Sequence, residues 1–285
     1  MLQPIKGAFR KASRLSHWLP IPRGWWAKLD LLRILVIRDL EARYKGSILG
    51  NLWPLVNQLS QLLIYTYVFS IVLKVKLSFA GLPSNGLTFG LWLFAGLLPW
   101  TAFSSGFLSA AGIVVAQPNL VKKVVFPLAL LPLVPVCSAF VESSLGLIVL
   151  IVLVGTTAQA VHSTLWLLPL VWLPQLLLAA GLGYLAAGFT VFLRDVSQTL
   201  GVLTNLWFYF TPIVYPVSII PEQWRVWVLW WNPMTAIVEV YRDIILVGEM
   251  KHWGELAVAF VVSLVVFYSG LAVYQRLRPA FADVL

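Results

Sequence analysis

The stretch TFGLWLFAGLLPWTAFSSGFLSAAGIVVA, residues 88–116, carries no Asp, Glu, Lys or Arg anywhere along it. A helix that crosses a bilayer needs about 20 predominantly apolar residues in a row, so this segment reads as a membrane span. Upstream lies GLPSNG, residues 81–86, whose Gly, Pro, Ser and Asn mark irregular surface chain. Downstream, residues 124–193 hold Glu142 as their only Asp, Glu, Lys or Arg. That length fits two spans, 128–154 and 165–189, parted by the polar break 155–163. The same test places further spans at 52–73, 198–216 and 256–274. The expected fold is an all-α polytopic membrane protein with about six transmembrane helices. Composition agrees, since 60% of the 285 residues are hydrophobic and 11% charged, against roughly a quarter charged in a soluble domain.

The formal charge of +9 does not point to nucleic acid, because the basic residues cluster in the first fifty positions and in short loops between apolar runs. Six spans place both termini on one side. Fifteen of the twenty Lys and Arg fall on that side, and Lys74, Lys76, Arg225, Arg242 and Lys251 on the other. The positive-inside rule makes both termini cytoplasmic. Residues 1–24 form a basic cytoplasmic segment with no apolar run of signal-peptide type, and residues 25–285 form the transmembrane domain. Cys137, the single cysteine, permits no intramolecular disulfide and no thiolate metal cluster.

Two regions fit neither loop nor span. Residues 25–45 have an apolar stripe of Trp25, Leu29, Leu32, Val36 and Leu40, with Asp30, Arg38 and Glu41 opposite. Ile34, Leu35 and Ile37 widen that stripe. An amphipathic helix on the inner membrane surface is expected, its charged face either solvated or docking a cytoplasmic partner. Residues 217–250 are rich in aromatics but broken by Pro221 and Pro233, and their apolar pieces are too short to cross. They are expected to form a re-entrant helical hairpin dipping in from outside, the alternative being an interfacial aromatic belt.

Within the first span Asn57, Gln58, Gln61 and Tyr65 project to one side of a helical wheel. Polar groups facing lipid are costly, so they line a passage or bond to other helices. Gln198, Asn205 and Tyr209 repeat the pattern in the fifth span among Trp207, Phe208 and Phe210, and Pro99, Trp100 and Phe103 mark the second. Aromatic faces stack on sugar rings, and amides and phenols exchange hydrogen bonds with hydroxyls, so an uncharged aromatic passage suits a glycan better than an ion.

Glu142 is the only acid inside a span and therefore a candidate functional group. With Ser138, Ser143 and Ser144 nearby and no basic residue in any span, it reads first as a protonated or serine-bonded structural carboxyl and second as a proton relay. Catalytic signatures are missing. No Gly-rich phosphate loop ends in Gly-Lys-Ser/Thr, no H-E-x-x-H occurs, and His17, His162 and His252 lie in unrelated places. Any energy used must come from a partner.

The segment RDLEARYKGSILGNLW, residues 38–53, resembles the membrane subunits of ABC-2 type polysaccharide exporters, in particular the O-antigen exporter permeases. NLVKKVVFP (119–127) is similar to the family's loop between its second and third spans, FLRD (192–195) to the segment after its fourth, and TPIVYP (211–216) with Ile220 and Pro221 to its fifth-span exit. WNP (231–233) and YRD (241–243) are similar to its external hairpin, and FADVL (281–285) to its terminus. The resemblance implies a homodimeric channel in the bacterial inner membrane that binds two copies of a nucleotide-binding ATPase subunit. ATP and Mg would be bound on that partner, and no cofactor or metal by this chain. The substrate implied is a polysaccharide on undecaprenyl diphosphate, with capsule and teichoic acid permeases close by. Carried onto this sequence, ATPase coupling falls to Asp39, Glu41, Arg43, Tyr44, Lys45, Asn119, Lys122, Lys123, Phe126, Arg194 and Asp195. An external gate falls to Pro212, Tyr215, Pro216, Trp231, Asn232, Pro233, Arg242 and Asp243. A polytopic lipid-glycan enzyme would instead draw on Glu222, Glu239, Asp243, Glu249 and Glu255, and a proton-driven carrier on Glu142.

Overall fold

The computed structural model describes residues 23–72, 86–122, 126–158 and 162–285; Lys123 and the loop at 81–85 lie outside them. The described chain is helical, with no strand. Helix α1 is Arg23–Arg43. Helix α2, Trp53–Thr66, starts with Pro54 in its first turn, where a missing N–H costs nothing, and continues in π-helical geometry over Tyr67–Val72. Helix α3 is Gly86–Ala116, α4 Leu133–Ala158 and α5 Leu168–Phe192. Helix α6 is Asp195–Phe210, α7 Glu222–Trp231, α8 Pro233–Arg242 and α9 Trp253–Leu277.

Among the described residues four segments are long and apolar enough to cross a membrane: Leu87–Ala116, Leu128–Thr157, Ser163–Phe192 and Trp253–Val284. They correspond to four of the expected spans. The other two are shorter. Helix α2 has 14 residues and its π-helical extension 6, together roughly 30 Å at 1.5 Å per residue. Helix α6 has 16 residues, ending six short of the expected 216. Its stop has a local cause: Thr211 precedes Pro212, and the proline ring pushes the residue before it into the extended region, here φ −94° and ψ 128°.

Helix α3 is the central element, packed on α2, α4, α5, α6 and α8. Its side chains Phe89, Leu91, Phe94, Leu98 and Phe103 are fully buried. Helices α5 and α9 approach most closely at Gly181 and Gly270. A Cβ on Gly181 would lie 2.6 Å from the Phe267 backbone, and one on Gly270 would collide with the Gly181 carbonyl oxygen. Without a hydrophobic force between helices in lipid, close backbone packing across small residues holds them together.

Helix α1 lies against α4. Its inner ridge is Leu31, Leu32, Leu35, Val36 and Leu40, facing Val134 and Cys137. This corrects the expected stripe at one position, since Leu29 is 49% exposed, alongside Ile34 and Ile37; the Trp25 side chain lies outside the described set. The helix is thus covered by protein on one side and open on the other, where Leu29, Ile34 and Ile37 stand among Arg33, Arg38 and Glu41.

Candidate functional site

Antiparallel packing brings the candidate residues to the two ends of the bundle. At the α1 end, the turn Pro118–Val121 packs on the C-terminal turn Phe281–Val284. Phe281 is fully buried against Tyr274 (ring centroids 5.3 Å) and Phe192 (6.1 Å). Tyr184 and Tyr274 donate to the carbonyls of Ala129 (2.7 Å) and Leu128 (3.0 Å), fixing the turn that leads into α4. Phe126 packs against both this cluster and the α1 cluster. Asn119, Lys122, Arg194 and Asp195 therefore stand exposed around one apolar plug, with Lys45 and Glu41 exposed on the neighbouring α1 side. Asp195 in the first turn of α6 suits the positive end of the helix dipole.

Beneath that end lies a polar cleft of about 310 Å³ between α2, α3 and α4. Its walls include Arg43, Tyr44, Asn57, Gln58, Gln61 and Glu142. Coupling and channel candidates thus meet in one place. Arg43 pairs with Asp39 at 2.9 Å and with Glu142 at 3.6 Å, and Tyr44 donates to Glu142 Oε1 at 3.2 Å. Glu142 is therefore not serine-bonded: Ser143 donates to the Leu98 carbonyl and Ser144 to that of Val141. Burial, and then the charge of Glu142, push the Tyr44 phenol above its usual value, so Tyr44 remains a donor at neutral pH. Tyr65 is not in the cleft; it packs beside Phe69.

At the hairpin end, α7 and α8 are joined at Asn232 alone. Asn232 caps α8 by accepting from Met234 N (3.1 Å), accepts from Trp207 Nε1 (3.0 Å) and donates to Thr211 Oγ1 (3.0 Å). Helix α8 is buried along most of its length between α3, α5 and α9, while no residue of α7 is fully buried. Arg242, 2% exposed, donates to the Pro212 and Ile213 carbonyls, both at 2.8 Å, and to Glu239 Oε1 at 2.6 Å. Its guanidinium lies 3.6 Å over the Trp92 ring, in space that Gly96 leaves open. Asp243 turns away and accepts from Lys251 N (2.8 Å), His252 N (3.1 Å) and the His252 ring (2.8 Å). Two of the acids an enzyme would need are thus held in structural pairs. Tyr215 donates to the Tyr209 carbonyl at 2.7 Å. Pro216 precedes the turn Val217–Ile219.

A second cleft of about 470 Å³ joins this end to α6, lined by Leu203, Leu206, Trp207, Phe210, Trp231, Asn232 and Pro233. Asn205, Tyr209 and Phe210 lie on the open face of α6 and Trp231 is exposed. Trp100 and Phe103 pack as core: they form an aromatic cluster with Trp207 and Phe208, centroids 5.2–6.1 Å apart, and Phe103 has no exposed surface. Sequence reading missed Thr211, Trp92 and the buried chain from Tyr241 through Gln175 to the Pro99 carbonyl, at 3.0 and 2.8 Å. The i,i+3 spacing of Glu239 and Arg242 is a signal for their pair; Trp92 gives none.

His252 carries a pH dependence. Its hydrogen bond to Asp243 raises its pKa, and burial opposes this more weakly. A raised folded value means stability is fully present below about 6.5 and lost as pH rises through the folded value. Hydrogen exchange at residues 248–253 is expected to accelerate over that rise, and His252→Gln to flatten the response.

The ABC-2 type transporter family model matches residues 30–246. The chain belongs to the ABC-2 type transporter family. The O-antigen export system permease protein RfbA of Myxococcus xanthus is 32% identical over 254 residues, covering 89% of this chain and 94% of that one. RfbA of Klebsiella pneumoniae is 27% identical over 259 residues, 90% and 95% of the two chains. The polysialic acid transport protein KpsM of Escherichia coli is 24% identical over 264 residues, 90% and 97%. In this ABC-2 protein the match takes in both clefts and the Arg242 clasp.

Proposed function

We propose that this chain is the transmembrane channel subunit of an ATP-driven exporter that moves undecaprenyl-diphosphate-linked polysaccharide of O-antigen type from cytoplasm to periplasm. The observation that carries this reading is the similarity to O-antigen export permeases along nearly the whole of both chains. A capsule-type substrate is the second reading, favoured by the likeness to KpsM.

In this reading two copies form the channel in the bacterial inner membrane. Helices α2 to α6 and α9 provide six spans, both termini are cytoplasmic, and the α7–α8 hairpin is re-entrant from outside. The uncovered Leu29, Ile34 and Ile37 of α1 rest in the membrane surface. Two ATPase subunits, carrying ATP and Mg, dock at the α1 end on the exposed charges around Asn119, Lys122 and Arg194. The amides of the inner cleft and the aromatic wall of the outer one suit a hydroxylated, uncharged chain. The open faces of α2 and α6, with Leu63, Ile64, Tyr209 and Phe210 uncovered, are where the second copy and the passage belong.

Reconstitution tests this. Vesicles holding the permease with its ATPase subunit are expected to move lipid-linked polysaccharide only with ATP, and the purified permease alone to hydrolyse none. Hydrolysis by a preparation free of any second subunit, or movement without nucleotide, overturns the proposal.

A further inference from the structure

We infer that Glu142 is a positioning residue, a latch on α4 that holds the C-terminal end of α1 through Arg43 and Tyr44 and so ties the proposed ATPase-docking helix to the wall of the inner cleft. The inference rests on the exporter reading.

Glu142 is one-eighth exposed in its side chain and sits well inside α4, yet both of its polar partners come from the end of α1 and the residue after it. Arg43 is shared. It meets Asp39 on its own helix at 2.9 Å and Glu142 at 3.6 Å, so one guanidinium serves two carboxylates. If α1 swings away from α4, Arg43 leaves with Asp39 and Glu142 stays behind, charged and unpaired in an apolar helix, which is costly. The position of α1 is therefore bound to the charge on α4. The same residues roof the cleft that holds Asn57, Gln58 and Gln61, so a displacement of α1 changes the cleft directly.

The test uses the permease reconstituted with its ATPase subunit and measures polysaccharide moved per ATP hydrolysed, beside membrane abundance and ATPase co-purification. Glu142→Gln keeps the shape and removes the charge. It is expected to lower the export-to-hydrolysis ratio at least about fivefold, the lower bound of typical coupling between sites, with abundance and assembly unchanged. The exchange Arg43→Glu with Glu142→Arg is expected to restore most of the ratio, and Tyr44→Phe to give a smaller loss. An unchanged ratio in Glu142→Gln overturns the latch and leaves the exporter reading standing. Abundance, assembly and export falling together in both Glu142→Gln and Tyr44→Phe makes Glu142 a folding residue only and also overturns it. Export that stops on collapse of a pH gradient in the unaltered complex, and loses that sensitivity in Glu142→Gln, assigns a proton relay instead. Failure of the unaltered complex to move any polysaccharide fells the exporter reading and the latch with it.

Discussion

Arg242→Ala is expected to leave little folded protein in the membrane. The guanidinium is buried and makes bonds to the Pro212 and Ile213 carbonyls and to Glu239, over the face of Trp92. Removing it strands Glu239 as a charge without its partner, which typically costs about 3–5 kcal/mol. Two buried carbonyls also lose donors, at about 1–3 kcal/mol each. The total is comparable with the whole stability of an ordinary domain, roughly 5–15 kcal/mol. Arg242→Lys separates charge from shape: an ammonium keeps the positive charge but cannot fork to both carbonyls while lying flat on the indole. Lys is expected to recover part of the membrane abundance and less of the thermal stability. Equal abundance for Arg, Lys and Ala variants, measured by fluorescence-detected size exclusion, refutes the clasp.

Gly181→Ala and Gly270→Ala are expected to loosen α9 from α5. Each adds one methyl where backbone already occupies the space. Because the obstacle is backbone and not the end of a flexible side chain, the helices must part, at about 1–3 kcal/mol or more per site. The two glycines face one another, so the double variant is expected to lose less than the sum of the singles: once the helices have separated for the first methyl, the second fits. Thermal melts of the detergent-purified protein decide this, and additive losses refute a shared contact.

What the sequence made legible follows from what the membrane demands of it. Helices α3, α4, α5 and α9 announce themselves as long apolar runs with few charges, because twenty such residues have few other destinations. The end of α6 was overrun since residues 211–216 are apolar enough to span, while Thr211 before Pro212 obeys a local steric rule that hydropathy ignores. The face of α1 was harder. Leu31, Leu35 and Val36 meet α4, while Leu29, Ile34 and Ile37 stand among Arg33, Arg38 and Glu41 on the open side, so apolar residues all round blur the period that would say which side meets protein. Trp100 and Phe103 show the same ambiguity in reverse, as flat aromatics suit a glycan path and a packed core equally. Glu142 was found as an anomaly, but its partner Tyr44 lies 98 residues away in sequence, and no local pattern encodes such a meeting.

The C-terminal turn Phe281–Val284 sets a timetable. Chains fold as they are synthesised, N-terminal parts first, so α1 can settle on α4 early. The turn Pro118–Val121 must wait, because the turn it rests on, Phe281–Val284, is made only after α9. That end of the bundle can close only once α9 and the turn behind it have been made. A chain cut after α9 is therefore expected to keep its apolar helices yet leave Pro118–Val121 without a seat, which makes Phe281–Val284 the keystone of that end of the bundle.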